Sequence, residues 1–262
     1  MNSLPSRPGL RARSVTISQV AGNQWHAVRN DLTVGRGYAS RRLDGRTFLS
    51  IDTWQDAVFD RLAAVMLANQ PEPVYTVVDE ADHELTAGWQ RAGFAIWRRE
   101  SEYAVPTGPG LAARPPGLTI VSGDDVREAP LRELDRAVRA EVGSTVGWHT
   151  MPAEVLPWQG GTRPLDPSKY TVAVRDGRYV GLVRVATQTR RPRIGLVAVL
   201  TAERRRGIAR ALLDDVLGRL HSAGTEAATA EVDESNTAAL ALLGGIGAER
   251  TGRSLELISG RA

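Results

Sequence analysis

The sequence predicts an α/β protein built from two copies of one strand-and-helix pattern. Its 262 residues are enough for two modest domains. An apolar run, Ile194–Leu200, is typical of a buried strand, and a short basic loop leads from it to an amphipathic helix that opens at Gly207. Two further patterns occur twice in the same order along the chain, which indicates a duplication.

The first repeated pattern predicts a β-hairpin in each copy. Asn30-Asp31 follows Ala27–Arg29 and precedes Val34-Gly35, while Asp176-Gly177 follows Ala173–Arg175 and precedes Val180-Gly181 with the same spacing. Both central pairs belong to the residue types that favour tight hairpin turns.

The second repeated pattern lies nearer the end of each copy. Val78–Asp82 matches Val232–Asn236, and Gly93 then matches Gly247. A segment rich in proline and glycine separates the two copies, and this composition is typical of a linker. We therefore expect a first domain at residues 1–108, a linker at 109–117 and a second domain at 118–262.

The composition excludes several classes of function. Cysteine is absent, which excludes disulfides, thiolate metal sites and a cysteine nucleophile and is typical of a cytoplasmic protein. The four histidines lack metal-ligand spacing, so no metal is expected. No apolar run is long enough for a membrane span, and no signal-peptide pattern is present. The net charge of +3 is small, so no nucleic-acid partner is expected.

The loop before the second-domain helix is the strongest functional signal. Amide groups in the first turn of a helix have no intrahelical partner, and the helix dipole favours negative charge there. Gly207 allows close approach of a ligand, and Arg204, Arg205 and Arg206 add positive charge. A phosphate or pyrophosphate is the expected ligand, although the loop lacks the Gly-Lys-Ser/Thr of a Walker A sequence. The other arginine cluster, Arg190, Arg191 and Arg193, is predicted to be a solvated hairpin.

These residues resemble the GCN5-related N-acetyltransferase (GNAT) family. Arg204-x-x-Gly207-x-Ala209 fits its Arg/Gln-x-x-Gly-x-Gly/Ala signature, and Glu231–Asn236 resembles its fifth strand and the cofactor-side Asn that follows. The resemblance covers roughly Leu118 to the C-terminus. It implies two tandem GNAT-like domains, each a twisted mixed β-sheet flanked by helices, of which the second is catalytic.

The resemblance implies acetyl-CoA, or another acyl-CoA, as co-substrate. The strand before the loop would pair with the pantetheine arm, the loop would hold the pyrophosphate largely through main-chain amides, and Asn236 would hydrogen-bond the pantetheine side. The residues expected to bind the donor are Val197, Ala198, Val199, Arg204, Arg205, Arg206, Gly207, Ile208, Ala209, Arg210 and Asn236.

Glu231 is the first candidate for the general base. GNAT members that acetylate protein N-termini carry the base at the matching position of a similar Glu-Val-x-x-Ser-Asn segment. The alternative is a solvent-facing carboxylate, and the remaining candidates for the base are Glu234, Asp233, Glu141 and His149. Glu141, Trp148 and His149 are expected to contact the acceptor. Helices are expected over residues 125–142 and 151–158, where the family's helices cover the acceptor site, and a hairpin is expected over residues 188–193.

The sequence departs from the family pattern in two places. Leu243 stands where many members have a tyrosine as general acid, so either the thiolate leaves without a protein acid or another hydroxyl replaces the tyrosine. The first copy has Ser50–Trp54 where the second has its basic loop, with no glycine and with the added carboxylate of Asp52. The first copy is therefore predicted to be degenerate and cofactor-free, with a structural role or as one wall of the acceptor pocket.

Taken together, the residues and the resemblance predict an N-acyltransferase that acts on the amine of a small molecule. A protein N-terminus is the alternative acceptor, and a monomer or homodimer is expected. Two other functions stay open: transfer of an acyl or aminoacyl group from a carrier or transfer RNA, and a non-catalytic CoA-binding module.

Overall fold

The computed structural model describes residues 14–42, 44–110, 114–145, 147–148, 151, 165–186 and 191–260. They form two compact units. The first contains residues 14–42, 46–97 and 256–260, and the second contains residues 44–45 together with the described residues from 98 to 255. The Pro/Gly segment expected as a linker thus lies within the second unit, and two strands contribute residues to both units.

The first unit is a sheet with two helices. Its elements are β1 (Thr16–Ala21), β2 (Gln24–Arg29), β3 (Leu32–Arg41), β4 (Thr47–Asp52), α1 (Asp56–Ala68), β5 (Val74–Asp79), α2 (His83–Arg91) and the first residues of β6 (Ala95–Pro106). Strands β1 to β4 are antiparallel neighbours, and β5 runs parallel to β4. Helix α1 buries Val58, Phe59, Leu62, Ala63 and Met66.

The second unit has the same order of elements with an added helix near its start. After the remainder of β6 come β7 (Leu118–Ser122), α3 (Glu128–Ser144), β8 (Tyr170–Arg175), β9 (Arg178–Ala186), β10 (Arg193–Val199), α4 (Ile208–Ser222), β11 (Ala227–Asp233), α5 (Thr237–Gly244) and β12 (Glu249–Ser259), whose last residues belong to the first unit. The described residues also form short 3-10 turns at Gly123–Asp125, Pro167–Lys169 and Thr201–Glu203. The strand order is β6-β11-β10-β9-β8-β7, with only the β10–β11 pair parallel.

Helices α3 and α4 cover opposite faces of the second sheet. Leu182 packs in the apolar cluster that contains α3 residues, whereas the next residue, Val183, packs in the cluster that contains α4 residues. Successive side chains of a strand point to opposite faces, so the two helices lie on different sides. The helix predicted over 125–142 is thus confirmed as α3, and the helix predicted from Gly207 is confirmed as α4.

Both predicted hairpins are confirmed. Their central residues have positive φ, at 52° and 63° for Asn30 and Asp31 and at 49° and 73° for Asp176 and Gly177, as a type I′ turn requires. Each hairpin also contains a register shift at the same repeat position, after Ala27 in one copy and after Ala173 in the other.

The second repeated pattern also has the same geometry in both units. Oδ1 of Asp79 accepts a hydrogen bond from the amide of Ala81, as Oδ1 of Asp233 does from the amide of Ser235, each at 2.9 Å. The side chains of Asp82 and Asn236 then cap α2 and α5 by accepting from the amide three residues on. Gly93 and Gly247 follow with φ of 93° and 77°. The match therefore extends from residue types to individual hydrogen bonds.

Two observations bear on membrane and metal binding. None of the helices within the described residues is both long and apolar enough to cross a membrane. In the same part of the chain, no group of three or more His, Asp or Glu side chains is arranged to hold a metal ion.

Candidate active site between two splayed strands

A cleft of about 530 Å³ opens in the second unit between strands β10 and β11. These parallel strands pair at only two positions, Arg193 with Thr229 and Ile194 with Ala230. Strand β10 continues to Val199 and β11 to Asp233, and residues from both continuations line the cleft. The strands therefore diverge toward their carboxyl ends, and the space between them is the cleft.

The lining of the cleft is mainly apolar. Strand β10 contributes Ile194–Val199, α3 contributes Val138 and Val142, and α5 contributes small and branched apolar side chains. The polar or charged residues in the lining are Glu141, Arg204, Arg205, Glu231 and Asn236. Such a cleft fits an elongated and largely apolar ligand with a few fixed polar contacts.

The loop from β10 to α4 is wound so that its amides can face an anion. Arg205 and Gly207 have positive φ, at 64° and 78°. Backbone that alternates between right- and left-handed conformations directs successive N–H groups into one concave site. The first-turn amides of α4 follow directly and have no intrahelical acceptors. A Cβ built on Gly207 would have Pro115 Cγ as its nearest neighbour, at 3.6 Å, so the space beside this residue is open.

Arg204 and Arg206 are already engaged by protein groups. Nε of Arg204 donates to the carbonyl of Val199 at 3.0 Å, and its Nη2 donates to Glu141 Oε2 at 3.2 Å. Nη1 of Arg206 lies 3.6 Å from Glu203. The loop thus offers an anion its backbone amides, in keeping with the expectation that the contacts are largely main-chain.

The structure brings together most of the residues predicted to bind the donor. Val197, Ala198, Val199, Arg204, Arg205, Ala209 and Asn236 line the cleft. Ile208 is instead a core residue with 1% of its surface exposed, so only its backbone amide is available. Arg210 lines a second pocket together with Asp214 and residues 106–110.

Asn236 has a structural use besides its predicted contact with the donor. Its Oδ1 caps α5 by accepting from the amide of Ala239 at 3.1 Å. The two Nδ2 donors of this side chain take no part in the cap and can bind a ligand.

Glu231 lies in the cleft and forms an ion pair. Its Oε2 accepts from Nη2 of Arg193 at 2.6 Å, and both side chains are partly buried. The expectation that Arg193 belongs to a solvated hairpin is thus wrong, because the side chain neutralises a carboxylate of the cleft. Periodicity could not reveal this contact, which exists because β10 and β11 are neighbours in the sheet.

The other candidates for the base have their own partners. Oδ1 of Asp233 accepts from the amide and hydroxyl of Ser235, and Glu234 accepts from Ser101 Oγ and from Arg253. Glu141 accepts from the amide and hydroxyl of Thr201. Of the two carboxylates in the described lining of the cleft, Glu141 thus binds the loop after β10, whereas Glu231 pairs with Arg193.

Two of the three residues expected to contact the acceptor are described. Glu141 lines the cleft, and Trp148 follows four residues after the end of α3, with the guanidinium of Arg139 5.6 Å from its ring centre. His149 lies outside the described residues, as do residues 152–158 of the helix expected over 151–158 and residues 188–190 of the hairpin expected over 188–193.

Leu243 is buried, with 4% of its surface exposed, and it lines the cleft. Among the described residues that line the cleft, none carries a hydroxyl group. No replacement for the tyrosine acid is therefore found in this part of the chain.

The first unit has the splayed strands but a different loop. Strands β4 and β5 also pair at only two positions, Thr47 with Val74 and Phe48 with Tyr75. Residues 53–55 then lead directly into α1, and the residue before this helix, Gln55, has an extended φ of −126°. The left-handed residues that shape the second-unit loop have no counterpart in residues 53–55. This supports the prediction that the first copy lacks a pyrophosphate site.

Comparison with known proteins defines the class of protein. The model of the Acetyltransferase (GNAT) family matches residues 136–246, which include every described residue that lines the cleft. A search of curated proteins found no match.

Solved structures show the same fold over nearly the whole chain. A GCN5-related N-acetyltransferase from Sphaerobacter thermophilus has a TM-score of 0.66 at 17% identity, covering 92% of this chain and 82% of that chain. A GCN5-related N-acetyltransferase from Kribbella flavida has a TM-score of 0.61 at 15% identity, covering 97% and 91%. A tandem GNAT protein from the clavulanic acid biosynthesis pathway also has a TM-score of 0.61 at 15% identity, covering 91% and 83%.

The fold is that of the GNAT acetyltransferases. Residues 136–246 are a domain of the GNAT family, whose members transfer an acyl group from acyl-CoA to an amine.

Proposed function

We propose that this protein is an N-acyltransferase that moves an acetyl or short acyl group from acyl-CoA to the amine of a small molecule. The observation that carries the proposal is the continuous path from the β10–β11 cleft to the left-handed loop at the start of α4. The cleft suits an extended arm, and the loop suits a pyrophosphate.

The described residues fit acyl-CoA as the donor substrate. Where β10 and β11 diverge, backbone groups on their facing edges are no longer paired with each other and can bind the amides of the pantetheine arm. The apolar side chains of the cleft suit the methylene groups of the same arm. A backbone N–H of β10 would polarise the thioester carbonyl, in the way an oxyanion hole does.

In the proposed reaction, the amine attacks the thioester carbonyl directly. The C–N bond forms, the C–S bond breaks, and the amine proton passes to the carboxylate of Glu231. Arg193, 2.6 Å from this carboxylate, pairs with it and orients it. A base must lie within hydrogen-bond reach of the proton it takes, and Glu231 is the carboxylate that β11 contributes to the lining of the cleft.

The thiolate is proposed to leave without a protein acid. A thiol has a pKa of about 8.5, so its anion is a competent leaving group that water can protonate. This route is favoured because Leu243 cannot donate a proton and none of the described residues that line the cleft carries a hydroxyl group.

The first unit is proposed to be a copy that binds no acyl-CoA and has a structural role. We further propose that the protein works in the cytoplasm, as a monomer or homodimer, and acts on small-molecule amines, with a protein N-terminus as the alternative acceptor. These parts of the proposal rest on the sequence.

A calorimetric titration with acetyl-CoA tests the donor and the role of the first unit together. We expect one site per chain. Two sites would refute the prediction that the first copy binds no acyl-CoA. The absence of binding would refute acyl-CoA as the donor.

Acetylation of a panel of amines by wild-type protein, Glu231→Gln and Glu102→Gln tests the base. Glu102 pairs directly with Glu231 across β6 and β11 but does not line the cleft, so it controls for loss of negative charge on this face. We expect a loss of at least about a hundredfold in turnover for Glu231→Gln only. Binding of acetyl-CoA without turnover of any amine would favour a non-catalytic CoA-binding module, which the apolar residue at Leu243 also suits.

A further inference from the structure

Glu141 connects helix α3 to the loop that is proposed to bind the pyrophosphate. It lies in the last turn of α3, sixty residues before Thr201, the first residue of the 3-10 turn after β10. Its two carboxylate oxygens lie 3.1 and 3.0 Å from the Thr201 amide, and Oε2 also accepts from Thr201 Oγ1 at 2.9 Å.

The Thr201 amide needs an acceptor from elsewhere in the protein. The residue before the 3-10 turn, Leu200, has a side chain that cannot cap it, and no side-chain cap is formed there. The first amides of a helical turn lack partners within the turn. Glu141 therefore caps the turn from a different helix.

Glu141 also binds the residue that begins the anion-binding backbone. Nη2 of Arg204 donates to Oε2 of Glu141, while Nε of Arg204 donates to the carbonyl of Val199 at the end of β10. The Arg204 side chain thus connects the loop both to β10 and to α3. The next residue, Arg205, has a φ of 64°, a conformation that a non-glycine residue keeps only when surrounding contacts fix it.

From these contacts we infer that Glu141 is a positioning residue for the donor, which holds residues 201–207 in the shape that presents their amides to the pyrophosphate. This inference rests on the proposed function for its ligand, and it gives Glu141 a role different from the predicted contact with the acceptor. In this role the carboxylate acts through Thr201 and Arg204 and not by binding the donor itself.

A purely electrostatic role and a positioning role for Glu141 predict opposite changes in acetyl-CoA affinity when its carboxylate is removed. The carboxylate is a negative charge near a proposed anion site, and on charge alone its loss would strengthen the binding of acetyl-CoA. If it positions the loop, its loss weakens binding. Glu141→Gln separates the two, since the amide keeps one oxygen that can accept from Thr201 but carries no charge.

The experiment uses the full chain with Glu141→Ala, Glu141→Gln and the control Glu133→Ala, which removes an exposed carboxylate from the same helix. We expect acetyl-CoA affinity, measured by calorimetry, to fall about tenfold or more in Glu141→Ala, to fall less in Glu141→Gln and to stay unchanged in Glu133→Ala. In the acylation assay, the donor KM should rise while the acceptor KM and the kcat at saturating donor are retained.

Hydrogen exchange in the ligand-free protein gives a second readout that does not depend on the donor. The Thr201 amide should exchange roughly ten to a hundred times faster in Glu141→Ala, as expected for loss of a hydrogen bond to a charged group. Unchanged acetyl-CoA affinity in Glu141→Ala would overturn the inference, and so would unchanged exchange of the Thr201 amide. So would tighter donor binding, or a loss confined to the acceptor KM.

If the wild-type chain binds no acetyl-CoA, the proposed function fails and the donor role of Glu141 fails with it. If the wild type binds and Glu141→Ala binds equally well, only the positioning role fails. The two failures are therefore distinguished within one set of titrations.

Discussion

Gly207→Glu is the sharpest perturbation of the proposed pyrophosphate site. Gly207 has a φ of 78°, and an added Cβ would meet only Pro115 Cγ, at the ordinary contact distance of 3.6 Å. The added Cβ therefore causes no steric clash within the protein. The substitution introduces the strain of a left-handed non-glycine residue, roughly 1–2 kcal/mol in the free energy of unfolding, and it places a carboxylate beside the first-turn amides of α4.

The effect on the donor follows from Coulomb's law. Two like charges about 4 Å apart repel by about 4 kcal/mol at an effective dielectric constant of 20. Since every 1.4 kcal/mol is about a tenfold change in affinity, acetyl-CoA should bind about a thousandfold more weakly. The added side chain would also occupy space that the pyrophosphate needs.

Gly224→Glu is the matched control. Gly224 has a φ of 80°, has no heavy atom within 4 Å of a built Cβ, and follows the other end of α4. It lies roughly 25 Å along the helix from Gly207, at 1.5 Å per residue. Calorimetry with acetyl-CoA and denaturant unfolding of both variants should show similar losses of stability but a loss of binding only in Gly207→Glu. Wild-type affinity in Gly207→Glu would refute the assignment of the loop.

Three further predictions test the chemistry and the packing around the cleft. Arg193→Gln should move the acid limb of the pH–rate profile to higher pH, because the Glu231 carboxylate then loses the cation 2.6 Å away that favours its ionised form. Arg193→Lys keeps a cation and should leave the limb close to its wild-type position. An unmoved limb in Arg193→Gln would count against Glu231 as the base. Leu243→Tyr should leave turnover per folded molecule unchanged, whereas a faster rate would show that thiolate departure is limiting. Gly181→Ala should lower the free energy of unfolding by about 1–3 kcal/mol in a denaturant titration, since a Cβ there would lie 3.1 Å from both Ala198 O and Val199 Cγ2; wild-type stability would mean that this approach is looser than the structure indicates.

Features set by local backbone chemistry were predictable from the sequence. Asn30-Asp31 and Asp176-Gly177 favour positive φ, and both turns adopt it. Gly207 was expected to open the helix, and α4 begins one residue later. The helix expected at Asp125 begins instead at Glu128, because residues 123–125 form a 3-10 turn.

Contacts between distant parts of the chain were not predictable in the same way. The Arg193–Glu231 ion pair joins residues 38 positions apart, and the contact from Glu141 to Thr201 spans 60 positions. Both depend on which strands and helices become neighbours, which the spacing of apolar residues does not specify. The sequence therefore indicated that Glu231 and Glu141 belong near the site but not what each side chain binds.

The paired turns and caps at Asp79 and Asp82, and at Asp233 and Asn236, have a consequence for the history of the chain. Both units retain these hydrogen bonds, although only the second has the left-handed loop between its splayed strands and its helix. The caps thus serve the architecture that both copies share. The copies differ in the stretch between strand and helix, which spans residues 200–207 in the second unit and 53–55 in the first. If the loop binds the donor as proposed, shortening it after a gene duplication would remove ligand binding from one copy and leave the folding of that copy intact.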